Sequence, residues 1–156
     1  MYLTKDAALA LAFPAGTKVE RQTAFLTDAQ IAEAKRLAGA GVDVASALVV
    51  RYVGRAADGG IVGTAYFDTH RVRTLDETLM IVVDAEARVR RVDVLACGEP
   101  PEYLPKPGWL AQLGGRKLDA ELSVKRGIRG ITGATLSSQA ATDAVRRVLA
   151  IHAVLP

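Results

Sequence analysis

The sequence has few of the residues that build metal centres and disulfide frameworks. Its 156 residues include one cysteine, Cys97, and two histidines, His70 and His152. A lone cysteine excludes an internal disulfide and any multi-cysteine zinc or iron–sulfur site. Because the two histidines lie far apart in the chain, we expect no metal centre.

Concentrated charge and long apolar runs are missing too. The 20 Lys and Arg residues face 17 Asp and Glu residues, giving a formal net charge of +3, and the basic residues are spread along the chain beside acids. A nucleic-acid binder usually shows a basic stripe with interleaved aromatics, so we expect no nucleic-acid partner. No run approaches the roughly 20 apolar residues that span a bilayer. The early apolar run 7–13 lacks the order of a signal peptide, so no targeting signal is visible.

The remaining composition is that of an ordinary globular protein. Half of the residues are apolar and 24% are charged, which is enough to build one domain over residues 1–156. Its expected parts are an N-terminal helical part at about 1–40, a β-rich core at about 47–96, a proline loop at 98–109, and a glycine-rich turn followed by a C-terminal helix at 127–154.

Local patterns predict helices before and after an antiparallel sheet. Thr4 is a suitable N-cap for a helix to Phe13, and Thr27 with Gln30 forms a capping-box pattern for a helix to about Leu37. Turn residues separate β-rich runs, which indicates two hairpins. The predicted strands are 18–25, 47–54, 61–68, 78–83 and 88–96. The predicted fold class is therefore α+β, an antiparallel sheet packed with helices.

Two further helices are expected near the carboxyl end. A short one runs from Gly108 or Trp109 to Leu113, and a long one is capped by Ser137 or Ser138 and runs through Val154. On the outer side of the long helix, Asp143 and Arg147 have the i,i+4 spacing of an ion pair.

The segment before the long helix carries the ingredients of a phosphate site. Residues 126–138 combine small residues, four hydroxyls at positions 132, 135, 137 and 138, and the start of a helix. Lys125, Arg126 and Arg129 add three positive charges just before these hydroxyls. Helix N-termini bind anions because their first N–H groups lack partners within the helix. Turning and capping alone also use Gly, Ser and Thr. The Rossmann fingerprint and the P-loop pattern are both missing.

The run Thr132-Gly133-Ala134-Thr135-Leu136-Ser137-Ser138 resembles the [S/T]GAT-x-[S/T] signature of the FMN-binding domain family. That family includes the soluble flavin subunits of the Rnf and sodium-translocating NADH:quinone oxidoreductase complexes. The resemblance also extends to residues 66–70 and 74–83 and to the loop 99–105. It implies a domain of this family's fold and an FMN cofactor. A flavin transferase would attach the FMN phosphate to Thr135 as a phosphoester.

One position departs from the family pattern. The signature usually has Asp three residues before its first hydroxyl, where this chain has Arg129. A guanidinium in place of a carboxylate reverses the local charge. This change either weakens recognition by a transferase that handles a magnesium-bound phosphate or helps to hold a phosphate without a covalent bond.

The resemblance also implies further cofactor-binding residues, each with a structural alternative. Glu99 and Glu102 are expected at the ribityl hydroxyls or the ring edge, or else at the surface; Tyr103 covers the flavin or anchors the loop; Trp109 flanks the ring or fills the core. The expected binding set is Thr132, Gly133, Ala134, Thr135, Leu136, Ser137, Glu99, Glu102, Tyr103, Trp109 and Arg129.

No residue is expected to be catalytic in its own right, because no set of acid, base and nucleophile is visible. His70 is either a proton carrier near a reduced flavin or a turn histidine with no redox part. Cys97 is expected to be a buried small hydrophobe, and His152 belongs to the packing face of the last helix or to its dipole-favoured end.

The function implied is that of an electron carrier with one FMN, in which the cofactor does the redox chemistry. Its implied partners are a flavin transferase and the redox proteins of a membrane-associated electron-transfer chain, and its implied location is extracytoplasmic. Two alternatives stay open. One is an FMN-dependent reductase acting on a small substrate, and the other is a flavin-free binding module of the same fold.

Overall fold

Five strands form an antiparallel sheet in the computed structural model of the chain, which describes residues 3–156. Each strand pairs with the next one along the chain, so the order in the sheet is the order in sequence. Helices precede, interrupt and follow the strands, which confirms the α+β class. The strands are β1 (Lys18–Phe25), β2 (Leu48–Arg55), β3 (Ile61–Arg71), β4 (Asp76–Asp84) and β5 (Val89–Cys97), and the helices are α1 (Lys5–Ala12), α2 (Asp28–Ala38), α3 (Pro107–Leu110) and α4 (Thr135–Val154).

The first two helices begin where their capping residues predict. The Thr4 hydroxyl accepts a hydrogen bond from the N–H of Ala7 at 3.1 Å. The Thr27 hydroxyl accepts from the N–H of Gln30, and the Gln30 side chain accepts in return from the N–H of Thr27. These reciprocal bonds satisfy N–H groups that have no partner inside the helix.

Strand β4 lies at the centre of the hydrophobic core because both of its faces are covered. Leu79, Ile81 and Val83 pack in one cluster with the apolar face of α4. Met80 and Val82 pack in a second cluster with α1 on the other face. All five side chains are fully buried. A strand that is buried on both faces has apolar residues at successive positions, as residues 79–83 do here.

Strand β1, at one edge of the sheet, is exposed along most of its length. The apolar side chains of Val19 and Phe25 are 41% and 74% exposed. Helix α2 does not cover this strand but packs on α4, where Ala34 and Ala38 meet Ala150 in a third apolar cluster.

A long irregular segment, residues 98–134, connects β5 to α4. It contains a 3-10 turn at Pro101–Tyr103, then α3, and then a second 3-10 turn at Ala111–Leu113. The short helix therefore starts at Pro107 rather than at Gly108 or Trp109, in keeping with the preference of proline for the first helical turn. Within the described residues, no helix has the length and apolarity needed to cross a membrane.

Two arginines hold the connecting segment in place. The Arg116 guanidinium donates to the carbonyls of Gln112 and Gly127. Arg146 on α4 donates to the carbonyls of Asp119 and Leu122 at 2.7 and 2.9 Å. The chain is closely folded at this point, because a Cβ added at Gly127 would lie 2.3 Å from the carbonyl oxygen of Glu121. The approach to α4 is thus fixed before the helix begins.

Candidate functional site

A tight turn leads directly into α4. The N–H of Ala134 donates to the carbonyl of Ile131 at 2.9 Å, and Gly133 has a φ of +75°. Glycine adopts this left-handed conformation without a steric penalty. Nothing lies within 4 Å of where a Cβ of Gly133 would be, so the outer side of the turn is open.

Helix α4 begins three residues earlier than a cap at Ser137 predicts, and four residues earlier than a cap at Ser138 predicts. It starts at Thr135 with Ala134 as N-cap, and within the described chain no side chain caps it. The prediction of Ser137 or Ser138 as N-cap is wrong. Both serines lie inside the first turn and are buried, and the Ser138 hydroxyl donates to the carbonyl of Thr135 at 2.9 Å. The N–H groups of the first turn therefore meet no capping oxygen.

The four hydroxyls of the turn fall into two groups. Thr132 and Thr135 are exposed. Ser137 is 2% exposed, and Ser138 is fully buried. The Thr135 hydroxyl has no hydrogen-bond partner among residues 3–156, so it is available to a molecule that approaches from solvent.

The turn forms one wall of an open cleft of about 340 Å³. The cleft is also lined by Arg73, from the loop between β3 and β4, and by Tyr103. The guanidinium of Arg73 lies over the Tyr103 ring, 4.8 Å from its centroid. This stacking places a positive charge beside the open N-terminus of α4. The cleft is lined by Arg73, Tyr103, Gly133, Ala134, Thr135, Leu136 and Ser137.

The structure brings six of the predicted binding residues to this cleft, and Thr132 precedes them directly. It also adds Arg73, which sequence reasoning missed. Nothing local marks this arginine, because it lies in a loop far from the signature and reaches the cleft only through the fold. The roles of all these residues in binding stay predictions.

Glu99 does not line the cleft, but it is buried and bonded to a neighbouring loop. One of its oxygens, Oε1, accepts the N–H groups of Arg73, Thr74 and Leu75 at 3.1, 3.1 and 3.2 Å. These bonds, that from Thr74 foremost, lower the pKa of the Glu99 carboxyl. Its side chain is 6% exposed, whereas Glu102 on the same loop is exposed.

Trp109 and Arg129 meet each other beside the turn rather than in the cleft. The indole Nε1 of Trp109 donates to the carbonyl of Arg129 at 2.6 Å. The side chain of Gln112 bonds both the carbonyl and the N–H of Arg129. The backbone at this position is therefore fixed, while the Arg129 side chain is exposed.

A buried polar network lies between the sheet and α4. The Arg147 guanidinium donates through two nitrogens to the two oxygens of Asp68, both at 2.8 Å. His70 lies between Asp68 and Glu77, with ring nitrogens 2.9 and 2.8 Å from their carboxylates. The second oxygen of Glu77 has no partner within residues 3–156, and Cys97 is its neighbour on β5.

Three predictions about these residues need correction. Arg147 pairs with Asp68 on β3 and not with Asp143, whose side chain accepts from Gln139 instead. His70 lies on β3 and not in a turn. Cys97 is half-buried at the end of β5 rather than buried. His152 packs as expected and lies 2.7 Å from the Tyr66 hydroxyl.

The charges in the network shift its acid–base equilibria in opposite directions. Burial alone lowers the pKa of His70, but the hydrogen bonds and charges of Asp68 and Glu77 outweigh burial and raise it to about 9. Burial raises the pKa of Asp68, but Arg147 and His70 lower it to about 2. The His70 imidazolium and the Asp68 carboxylate are therefore both charged at neutral pH.

The residues of the cleft fit the phosphate of a nucleotide-like cofactor. An uncapped first turn of a long helix offers N–H groups and the positive end of the helix dipole. The Arg73 guanidinium matches the geometry of a phosphate, and the Tyr103 ring supplies an aromatic surface next to it. Fold and cleft together define an α+β domain with an open cleft at the start of its last helix, whose lining suits an anionic cofactor.

Comparison with known proteins identifies that cofactor. A family model described as FMN-binding domain matches residues 76–150, and this part of the chain belongs to that family. The match runs from the start of β4 through the turn and most of α4. FMN is therefore the cofactor, and the chain is a flavin-binding protein. No curated protein matches this chain.

Proposed function

We propose that this protein is an electron carrier with one FMN, whose phosphate is esterified to Thr135. The observation that supports it is an exposed, unpartnered threonine hydroxyl at the first position of an uncapped helix. Such a position presents the hydroxyl and the anion-binding N–H groups to the same phosphate.

Each residue of the cleft has a part in holding the cofactor. The N–H groups of Thr135, Leu136 and Ser137 would donate to the phosphate oxygens, and Arg73 would balance the phosphate charge. Gly133 keeps the backbone open to close approach, and Tyr103 offers its ring as a flank for the flavin. When bound, FMN supplies the redox chemistry, while the chain supplies binding, orientation and electrostatics.

The residues lining the cleft favour an electron carrier over a self-sufficient enzyme. They include neither Asp, Glu, His, Lys nor Cys in the part of the chain that the structure describes. A threonine hydroxyl needs activation to attack a phosphate, and no lining residue is able to take its proton. We therefore propose that a flavin transferase forms the ester from a flavin dinucleotide. The bond from the Thr135 oxygen to the FMN phosphorus forms as the pyrophosphate bond breaks, the nucleoside monophosphate leaves, and the transferase takes up the hydroxyl proton.

The proposed setting follows the family resemblance. The partners are the transferase and the donor and acceptor proteins of a membrane-associated electron-transfer chain, and the location is extracytoplasmic. Arg129 takes the place of the usual acid of the signature, and its exposed side chain is free to meet the transferase. We expect Arg129→Asp to increase covalent loading during co-expression; unchanged loading would show that the charge at this position does not limit the reaction.

The central experiment replaces the acceptor. The full chain is expressed together with a flavin transferase that modifies FMN-binding domains. The protein is then denatured and desalted, and its intact mass and flavin absorbance are measured. We expect the wild type to retain one FMN and Thr135→Ala to retain none. Thr132→Ala removes the other exposed hydroxyl of the turn, and its loading should persist. Thr23→Ala, on the exposed edge strand, is the control for a neutral threonine replacement.

Other outcomes of that experiment discriminate the alternatives. Flavin that is bound in the native protein but released on denaturation would contradict the ester and leave non-covalent binding. Equal loading of Thr135→Ala would place the ester elsewhere. Sustained NADH consumption by the purified loaded chain alone would favour a reductase over a carrier.

A further inference from the structure

The Glu99 carboxylate accepts three hydrogen bonds from the loop that carries Arg73. Three consecutive N–H groups, those of Arg73, Thr74 and Leu75, converge on its Oε1. A carboxylate that accepts several backbone N–H groups is a strong, charge-assisted anchor. Here the anchor joins Glu99, the second residue after β5, to the loop before β4, although the two segments are far apart in sequence.

Neighbouring contacts fix the same junction. The N–H of Gly98 donates to the carbonyl of Asp76 at 3.0 Å. A Cβ added at Gly98 would lie 2.9 Å from the Cβ of Leu75, so the two backbones approach closely. The loop 72–75 contributes one further bond of its own, from the N–H of Val72 to the carbonyl of Leu75. The Glu99 carboxylate is thus the main acceptor for the loop.

The anchored loop carries Arg73 to the cleft. The N–H of Arg73 is held by Glu99, while its guanidinium lies over Tyr103, and Arg73 lines the same cleft as Thr135. Arg73 is exposed, so the position of its backbone decides where the guanidinium at the end of its long side chain can reach. Side-chain freedom that is removed before binding does not have to be lost on binding.

We propose that Glu99 is a positioning residue for phosphate recognition, which acts by holding the 73–75 loop so that Arg73 meets the FMN phosphate at the turn before α4. This proposal rests on the proposed placement of the phosphate. It assigns Glu99 a part in cofactor binding without any contact between its carboxylate and the ribityl chain or the ring.

The test compares FMN with riboflavin, which lacks the phosphate. Binding of each to the full chain, expressed without a transferase, is measured by flavin fluorescence. We expect Arg73→Ala and Glu99→Ala each to weaken FMN binding about tenfold, the loss of roughly one charge-assisted contact. Riboflavin binding should change less than about twofold. Glu99→Gln keeps an acceptor oxygen and should recover most of the FMN affinity.

A double variant separates positioning from an independent effect. If Glu99 acts through Arg73, then Glu99→Ala combined with Arg73→Ala should bind FMN no more weakly than Arg73→Ala alone. Amide NMR shifts of residues 73–75 in the flavin-free protein give a readout independent of binding, and should move in Glu99→Ala. Glu86→Ala, an exposed glutamate in the β4–β5 turn, is the charge-matched control.

The outcomes are distinguishable. Additive losses in the double variant, or equal losses for FMN and riboflavin, would overturn the positioning role. A Glu99→Ala chain that does not fold leaves Arg73→Ala and Glu99→Gln to decide: full FMN preference in Arg73→Ala refutes the proposal. If the wild type binds FMN no more tightly than riboflavin, the proposed phosphate site fails, and the positioning role fails with it.

Discussion

His70 shows how single residues set the balance between burial and charge in this protein. Its ring is flanked by two carboxylates, and Arg147 neutralises one of them from α4. Asp143 on the same helix has a raised pKa because of burial, and Cys97 approaches Glu77 from β5. Because both ring nitrogens of His70 face carboxylates, this arrangement is stable only while the imidazole stays protonated.

The pH dependence of stability follows from these shifts. The pKa of His70 is raised from 6.5 to about 9, so its contribution is complete below about pH 6.5 and is lost as the pH rises through 9. The pKa of Asp68 is lowered from 3.8 to about 2, so its contribution is present above pH 3.8 and is lost as the pH falls toward 2. Urea unfolding across pH 2 to 10 should therefore show decreases at both ends.

Replacing the His70 imidazole tests the predicted loss of stability at alkaline pH. His70→Gln leaves Glu77 buried without its cation, and we expect a loss of about 3 kcal/mol in the free energy of unfolding at pH 7. The decrease between pH 7 and pH 10 should shrink in this variant. A variant that keeps the wild-type alkaline decrease would assign that decrease to another group.

At the scale of elements, α1 is held on the sheet by a close contact between an aromatic ring and a glycine. The Phe13 ring packs directly on Gly54 in β2, beside an irregularity in the β2–β3 pairing. Because the glycine has no side chain, the ring reaches the strand backbone and completes the second apolar cluster.

A methyl group at this position should displace the helix. A Cβ at Gly54 would lie 2.7 Å from the ring of Phe13, so we expect Gly54→Ala to cost about 1–3 kcal/mol through overpacking. Chemical denaturation measures this loss. Gly108→Ala is the control, since nothing lies within 4 Å of its Cβ position, and it should change stability by less than about 0.5 kcal/mol. Equal stabilities of the two variants would contradict the described packing.

At the scale of the whole molecule, burial is unevenly distributed across the sheet. Residues 79–83 of β4 are enclosed between α1 and α4, whereas β1 is exposed along most of its length. The site is built at the enclosed side, where α4 packs on β3 and β4. The cleft thus lies at the start of the helix that covers the buried face of these strands.

Amide hydrogen exchange should reflect this distribution. We expect the amides of residues 79–83 to exchange only by global unfolding, and those of β1 to exchange through local opening, since local opening is easiest where few apolar contacts are broken. Exchange monitored by NMR or mass spectrometry checks the order. Protection in β1 equal to that in β4 would contradict it.

The sequence by itself determined which segments form helices and strands and where the glycine-rich signature lies. The caps at Thr4 and Thr27, the alternating strands and the signature around Thr135 depend on contacts within a few residues, and such contacts can be read from spacing. The start of α4 was predicted three or four residues too late, because Ser137 and Ser138 suit a cap equally well in sequence but are buried in the fold.

Only the tertiary structure decided which distant residues share the site. Arg73, Glu99 and Thr135 lie on three separate segments, and their relative positions depend on strand register and on how α4 packs across the sheet. The same packing paired Arg147 with Asp68 rather than with Asp143. Within one helix spacing limits the neighbours, whereas between elements the contacts are chosen by burial of the whole core, which no local pattern encodes.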